Sequence, residues 1–336
     1  MAEAKAFVSA HITNPTQIPV TTPVGKKIPT GKLVDILNCG PAGCTYATNA
    51  FKQAAAVLGW RVKEYTPAEP TPQLVQNDMT QIVNDHPAAV VVTALPTIEY
   101  PHQAAALKAA HIPLIELYGT DPTSGTAPLE IDGVGFDDAL AQALADKTTV
   151  DLGGKGTVAD VILSGYPIIA AYTAAYNAQL KKVCPACKII STTIAPTSLG
   201  TTDGTDIVNF LRANPGVNAL FLSYEQVGED LASAAKGAGI TLPKTYSEAP
   251  TIAGVQAAAA GVRTATAPVD YNENGWQVAD ALARLFTGQS TAPDENSGPP
   301  VIWAKEYHNI PAATSSTVFP TDNPNYQAQF KKLWGK

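Results

Sequence analysis

The most constraining feature of this chain is the run Ala88-Ala-Val-Val-Val-Thr-Ala-Leu95, apolar at nearly every position and bounded by prolines. A run this short with four consecutive β-branched residues is a strand, and with no polar alternation it is buried on both faces. Strands of that kind belong to parallel sheets covered by helices on each side. Its surroundings fit that expectation. Leu33–Asn38 reads as a strand, and 45–58 carries Ala47, Ala50, Phe51, Ala54 and Leu58 at helical spacing, with Gly59 as the stop. Arg61–Tyr65 is the next strand, and Thr71-Pro72 caps a helix striped by Val75, Met79, Ile82 and Val83. A helix over 101–110 and a strand over Pro113–Tyr118 complete four strand–helix units.

The pattern then restarts. After a helix over 136–147, Gly153-Gly-Lys-Gly156 turns into strand 158–163, followed by helix 167–183, strand 188–194, helix 204–213 and strand 218–224. Helix 226–237, a polar strand near 244–248, a helix over 251–260 and strand 262–269 make a second set. A helix over 273–287 stops at Gly288, a strand is expected over Val301–Tyr307, and a last helix runs from Pro324 behind an Asp322-Asn323 cap. Residues 1–31, rich in Pro, Thr and Val, read as an extended lead-in. At 336 residues the chain has room for two lobes. The fold class expected is therefore α/β, with two similar lobes, each a parallel sheet flanked by helices.

Composition narrows the function. The net charge is −7 and only 15% of residues are charged, which argues against a broad nucleic-acid surface. No apolar run reaches the roughly 18 residues of a membrane helix. Met1-Ala2-Glu3-Ala4-Lys5 carries no apolar export segment, so the expectation is either a cytoplasmic protein or one whose export signal has been removed. The four cysteines form two close pairs, Cys39/Cys44 and Cys184/Cys187. Local disulfides, which would imply an oxidising compartment, are the preferred reading; free buried thiols or a metal or redox role are the alternatives. A redox CxxC should open a helix directly after a strand, whereas Cys184-Pro-Ala-Cys187 closes a helix and precedes a strand.

Several segments together resemble the sugar-type periplasmic binding proteins, the ribose-binding and lactose-repressor-like group associated with ABC importers. They are ILNCGPAGCTYATNAFKQAAAVLGW, VVVTALP, IPLIELYG, LFLSYEQVGEDLASAAKGAG and ATAPVDYNENGWQVADALARLFTG, and the resemblance spans roughly residues 32–308. It implies a type I fold with a three-strand hinge near Gly133, Asp270 and Trp303. The lobes would be 1–133 with 270–302, and 134–269 with 303–336. It further implies an extracytoplasmic protein, periplasmic or lipid-anchored. Such a protein would be a monomer without cofactor or nucleic-acid partner, delivering a small molecule to a membrane permease by closing an interlobe cleft around it.

The residues expected at that cleft lie where strands end, as ligand sites of open parallel sheets do. Tyr118, Tyr166, Tyr224 and Tyr271 fall at or just after strand ends, and Tyr46 and Tyr172 near the first turns of helices. Each could instead be a packed ring with a wet hydroxyl. Asn38, Glu225, Glu248 and Asp270 are the polar candidates, with helix capping or hinge hydrogen bonding as the competing reading. Ribose-type relatives place arginines after the fourth strand and in the first helix of the second lobe; here those places read Tyr118-Gly119 and Ala170-Ala171-Tyr172. A neutral or cationic ligand follows, because an anion would lack its bidentate partner.

Enzyme signatures are absent from the sequence. The five histidines are scattered, Ser164-Gly165 is not part of a nucleophile elbow, and Gly153-Gly-Lys-Gly156 lacks the phosphate-loop pattern. No acidic cluster has calcium-loop spacing. The expected function is solute binding for an ABC importer, with a neutral sugar or sugar-like ligand. The alternatives are a binding protein for an aromatic small molecule, an α/β enzyme with an unrecognised site, and a cytoplasmic regulator. A repressor would need a helix-turn-helix before residue 32, which the lead-in does not supply.

Overall fold

A computed structural model describes residues 1–121, 129–295 and 297–336. The chain packs as two compact units, each with its own five-stranded parallel sheet. One comprises residues 15–134, 270–298 and 323–336, and the other residues 1–14, 135–269 and 299–322. The ends of the chain thus differ from the lobes expected from sequence: 1–14 pack with 135–269, and 323–336 with 15–134.

The first unit holds β1 (Leu33–Leu37), β2 (Arg61–Tyr65), β3 (Ala89–Thr93), β4 (Leu114–Leu117) and β5 (Leu129–Ile131), in the order β2-β1-β3-β4-β5. The second holds β6 (Lys155–Leu163), β7 (Ala186–Ile194), β8 (Ala219–Leu222), β9 (Lys244–Glu248) and β10 (Ala265–Ala267), in the order β10-β9-β8-β6-β7. Numbered within each unit, both sheets read 2-1-3-4-5. The order reverses between β1 and β3 in one and between β6 and β8 in the other, and the carboxyl ends of those strands are the expected ligand edge. Burial follows position: the central strands β3 and β8 are buried at every residue, whereas edge strands β2 and β7 alternate.

The helices are α1 (Ala2–Ala10), α2 (Ala42–Leu58), α3 (Pro72–Asp85), α4 (Pro101–Ala109), α5 (Val134–Asp151), α6 (Pro167–Val183), α7 (Asp203–Ala213), α8 (Leu231–Gly237), α9 (Ile252–Ala260), α10 (Tyr271–Thr287) and α11 (Tyr326–Leu333). Their ends carry the signals the sequence shows. Thr71 accepts from the Leu74 N–H at the start of α3, Thr251 from Gly254 at α9, and Asp270 from Glu273 at α10.

Four segments depart from expectation. The helix expected over 226–237 is a 3₁₀ turn, Glu225–Gly228, followed by α8. The lead-in contains α1, whose Ala4 and Val8 are buried one turn apart. Val301–Tyr307 is not a strand: Trp303 alone bridges Thr266, and Lys305–Tyr307 coil into a 3₁₀ turn. Pro299 and Pro300, which lack N–H donors, precede it. The first sheet also gains β5, three residues long and paired with β4.

The tightest helix contact is between α2 and α10. A Cβ at Gly275 would lie 2.5 Å from the Ala47 carbonyl oxygen and 2.6 Å from the Phe51 nitrogen, both backbone atoms that cannot swing aside. Gly275→Ala must therefore separate the helices. We expect it to destabilise the protein by about 1–3 kcal/mol, despite alanine's better helix propensity, as read from the urea midpoint.

Candidate functional site

In the first unit the ligand edge is built around the turn from β1 into α2. Asn38 is buried and fully used: its amide donates to Glu64 Oε1 at 2.7 Å and Thr45 Oγ1 at 3.3 Å, and its carbonyl accepts from the Gly40 N–H at 3.0 Å. These bonds give Asn38 the turn-holding role. A disulfide joins Cys39 to Cys44 across the same turn, and the Cys39 N–H donates to Thr93 Oγ1 at 2.9 Å.

Three tyrosines converge at this edge. Tyr271, the first residue of α10, lies against Gly43 of α2, where any Cβ would strike its ring. Its ring centre is 5.6 Å from that of Tyr46 and 6.1 Å from that of Tyr118, the latter edge-on, a favourable arrangement of ring quadrupoles. Tyr118 follows β4 in the left-handed region at φ +64°, as Ala94 follows β3 at +53° and Asp132 follows β5 at +49°. The Tyr118 hydroxyl donates to Asn274 Oδ1 at 3.0 Å, and the Asn274 amide donates to Asp132. Burial pushes the Asp132 carboxyl up to about 7, with Asp270 adding to the rise and bonds from Ser297 and Asn274 opposing it. Asp270 itself caps α10, its Oδ1 accepting from the Glu273 N–H at 3.0 Å.

In the second unit Tyr166 precedes α6 and Tyr224 follows β8, on the two strands flanking the order reversal. Both are buried. Tyr172 is a core ring: with Tyr176 it stacks on Phe221 of β8, at 5.7 and 3.7 Å between ring centres. Burial raises its phenol well above the ordinary value, and the charges of Glu248 and Asp137 add to the rise. Glu248 ends β9, its carboxyl makes no hydrogen bond among the described residues, and burial holds it well above the usual carboxylate range. Burial of this kind disfavours the charged form of a carboxyl.

Glu225 has a structural partner that sequence reasoning missed. Its Oε1 accepts from Arg263 Nε at 2.7 Å with both side chains buried, and Arg263 also donates to the Gly228 carbonyl. The signal was present: Arg263 is one of only four arginines, and it stands at the head of an apolar strand segment. Asn274 and Asp132 were likewise missed, because neither is part of a recognisable local motif. Cys184 and Cys187 form the second disulfide, between α6 and β7.

No protein-family model matches the chain. No curated protein matches it either. Solved structures do. A 5-methylthioribose transporter solute-binding protein from Thermotoga lettingae aligns over 94% of this chain and 95% of its own, with TM-score 0.74 and 16% identity. An ABC sugar transporter subunit from Rhodobacter sphaeroides aligns over 82% and 99%, with TM-score 0.69 and 19% identity. A solute-binding protein from Agrobacterium vitis with bound allitol aligns over 82% and 96%, with TM-score 0.68 and 21% identity. The chain has their fold. In that type I periplasmic binding fold, the strand ends just described are the edges of the two sheets at which ligand chemistry is expected.

The arginines bear on which ligand could be taken. Arg263 is held by Glu225, Arg284 by Asp280, and Arg212 donates to the Ala238 carbonyl. Arg61 opens β2, at the amino end of the sheet. None stands at a strand's carboxyl end. Removing the Glu225 carboxylate would leave a buried guanidinium unpaired. Glu225→Ala is therefore expected to cost about 3–5 kcal/mol of stability, measured by urea unfolding, far more than loss of a ligand contact would.

Proposed function

We propose that this protein is the extracytoplasmic solute-binding component of an ABC importer and that it captures a neutral sugar or sugar-like molecule. One observation carries the reading: in this fold, Tyr46, Tyr118 and Tyr271 gather at a sheet's carboxyl edge where no arginine stands. Aromatic rings stack on the apolar face of a sugar while its hydroxyls bond to polar side chains. An anionic ligand would need a guanidinium that this edge lacks. Tyr224, Tyr166 and Glu248 supply the second unit's share, with Tyr172 packed in the core behind them. Asn38, Asp270 and Glu225 act behind them, by holding the turn, the helix start and Arg263.

The structures with bound sugars support this reading: the Thermotoga lettingae protein is in complex with 5-methylthioribose, and the Agrobacterium vitis protein holds allitol. Two disulfides suit a protein that works in an oxidising compartment. Among the described residues no helix is long and apolar enough to cross a membrane. A membrane permease is the expected partner, in keeping with the ABC transporter proteins that share the fold. The protein acts as a monomer that binds and delivers its ligand unchanged, with no catalytic step.

A thermal-shift panel of pentoses, hexoses, polyols and small aromatics tests the ligand class. A true ligand at 100 times its Kd adds about 2.7 kcal/mol of stability. With that ligand, Tyr118→Ala, Tyr224→Ala or Tyr271→Ala should each weaken binding about tenfold or more by calorimetry. Unchanged affinity in all three variants would defeat the site; a hit confined to the aromatics would favour the aromatic-ligand reading.

Uptake between the lobes with hinge closure, the chain passing between units after Val134, Val269 and Gly298 and again near its two ends, is part of the proposal. Ligand contacts on both lobes would stabilise the closed form alone. Small-angle scattering should then show the radius of gyration falling on addition of ligand. Binding without compaction would rule closure out.

A further inference from the structure

We propose that the first unit is held together by shared protons, which fit this protein for work below neutral pH: the carboxyl groups of Asp35 and Asp85, Glu116 and Asp121, and Asp280 and Asp294 meet in pairs that two ionised groups would not tolerate. The inference is independent of the ligand reading. Each pair has one member already supplied with hydrogen-bond donors and one that is not.

Asp35 sits in the middle of β1, fully buried, and neither of its oxygens receives a donor. Its neighbour Asp85 accepts from Lys63 at 2.5 Å and from the Tyr65 hydroxyl at 2.6 Å, both on Oδ2. Asp35 lies within hydrogen-bonding reach of Asp85. With Asp85 ionised against Lys63, the contact closes only if Asp35 carries the proton. Burial and Asp85 push Asp35 up to about 7 while Lys63 opposes the rise, and Asp85 is held below its usual range.

The third pair follows the same logic around Arg284. Asp280 Oδ2 accepts from Arg284 Nε at 2.7 Å and its Oδ1 from the Trp334 indole at 2.6 Å. Asp294 Oδ2 lies 3.0 Å from the same Arg284 nitrogen, whose single hydrogen is already committed, and neither Asp294 oxygen receives a bond. Burial and Asp280 push Asp294 up to about 9, with Arg284 opposing.

Glu116, buried in β4, accepts from the Tyr100 hydroxyl at 3.1 Å on Oε1, and its Oε2 has no donor. Asp121, within hydrogen-bonding reach, accepts from the Thr97 N–H at 3.1 Å and from the Thr97 hydroxyl. Glu130, the neighbour of Glu116 in β5, adds a third carboxyl, and among the described residues none of the three makes an ion pair. Burial first, then the neighbouring carboxylates, raise Glu116 to about 8 and Glu130 to about 7.

A group whose folded value is raised binds its proton more tightly when folded. Its contribution is complete below the unfolded value near 4 and is lost as pH rises through the folded values of about 7 to 9. Asp85 and Glu64, both lowered, work the other way and lose their contribution below about pH 4. Stability should therefore peak between about pH 4.5 and 6.5.

The test is the melting temperature of the full chain between pH 5 and 9 at fixed ionic strength, paired with infrared detection of protonated carboxyl groups. We expect Tm to fall by about 5 °C or more from pH 5.5 to 9, and a protonated-carboxyl band at pH 6 that fades by pH 10. In the variant Asp35→Asn, Glu116→Gln, Asp294→Asn, amides donate where the acids do, so the fall should shrink by half or more. It should not vanish, because Asp160 and Glu248 in the second unit are also raised. If the triple variant does not fold, the three single variants and the wild-type infrared band decide. A Tm that is flat or rises towards pH 9, an undiminished slope in the variants, or no protonated band at pH 6 would overturn the proposal.

Discussion

A guanidinium buried in a protein must be met by a carboxylate, or the cost of removing it from water goes uncompensated. Each unit of this chain is arranged around one such contact. In the first, Arg284 reaches from α10 to Asp280 one turn away, to Asp294 in the following loop, and to the Thr22 carbonyl in the lead-in. In the second, Arg263 ties the segment before β10 to Glu225 after β8 and to the Gly228 carbonyl beyond it. Both contacts join segments distant in sequence, so they specify which parts of the chain meet as well as how firmly. They also occupy the two buried arginines, neither of which stands at a strand's carboxyl end.

The parts of the fold legible in the sequence are those whose burial pattern is local. Ala89–Thr93 is buried at every residue because it is a central parallel strand, and its unbroken apolar run says so directly. Arg61–Tyr65 and Lys244–Glu248 are strands where the sequence suggests them, because turn signals bound them on both sides. What escaped is stabilised from afar. The helix Ala2–Ala10 is too short to hold alone; the burial of Ala4 and Val8 fixes it. Trp303 carries the composition of a strand, yet after one bridge to Thr266 its indole turns to Asn14 and its ring to Phe319.

The candidate site divides in the same way. That tyrosines would gather at strand ends was legible, because the alternation of strands and helices places every loop. That Asn38 spends its amide on Glu64 and Thr45, or that Glu225 faces Arg263, was not, since each partner is supplied by a different loop or strand. Sequence position identifies the edge at which a side chain stands. Only the fold shows whether that side chain is already engaged.

The left-handed backbone at Tyr118 has a consequence for anyone seeking to improve this protein. A tyrosine at φ +64° is held against its own preference, and glycine would relax there without strain. A search for stabilising substitutions guided by backbone geometry alone would rank this position highly. It would then delete the ring that meets Tyr271 and the hydroxyl that holds Asn274. Backbone ease and the contacts of this ring pull in opposite directions at this residue.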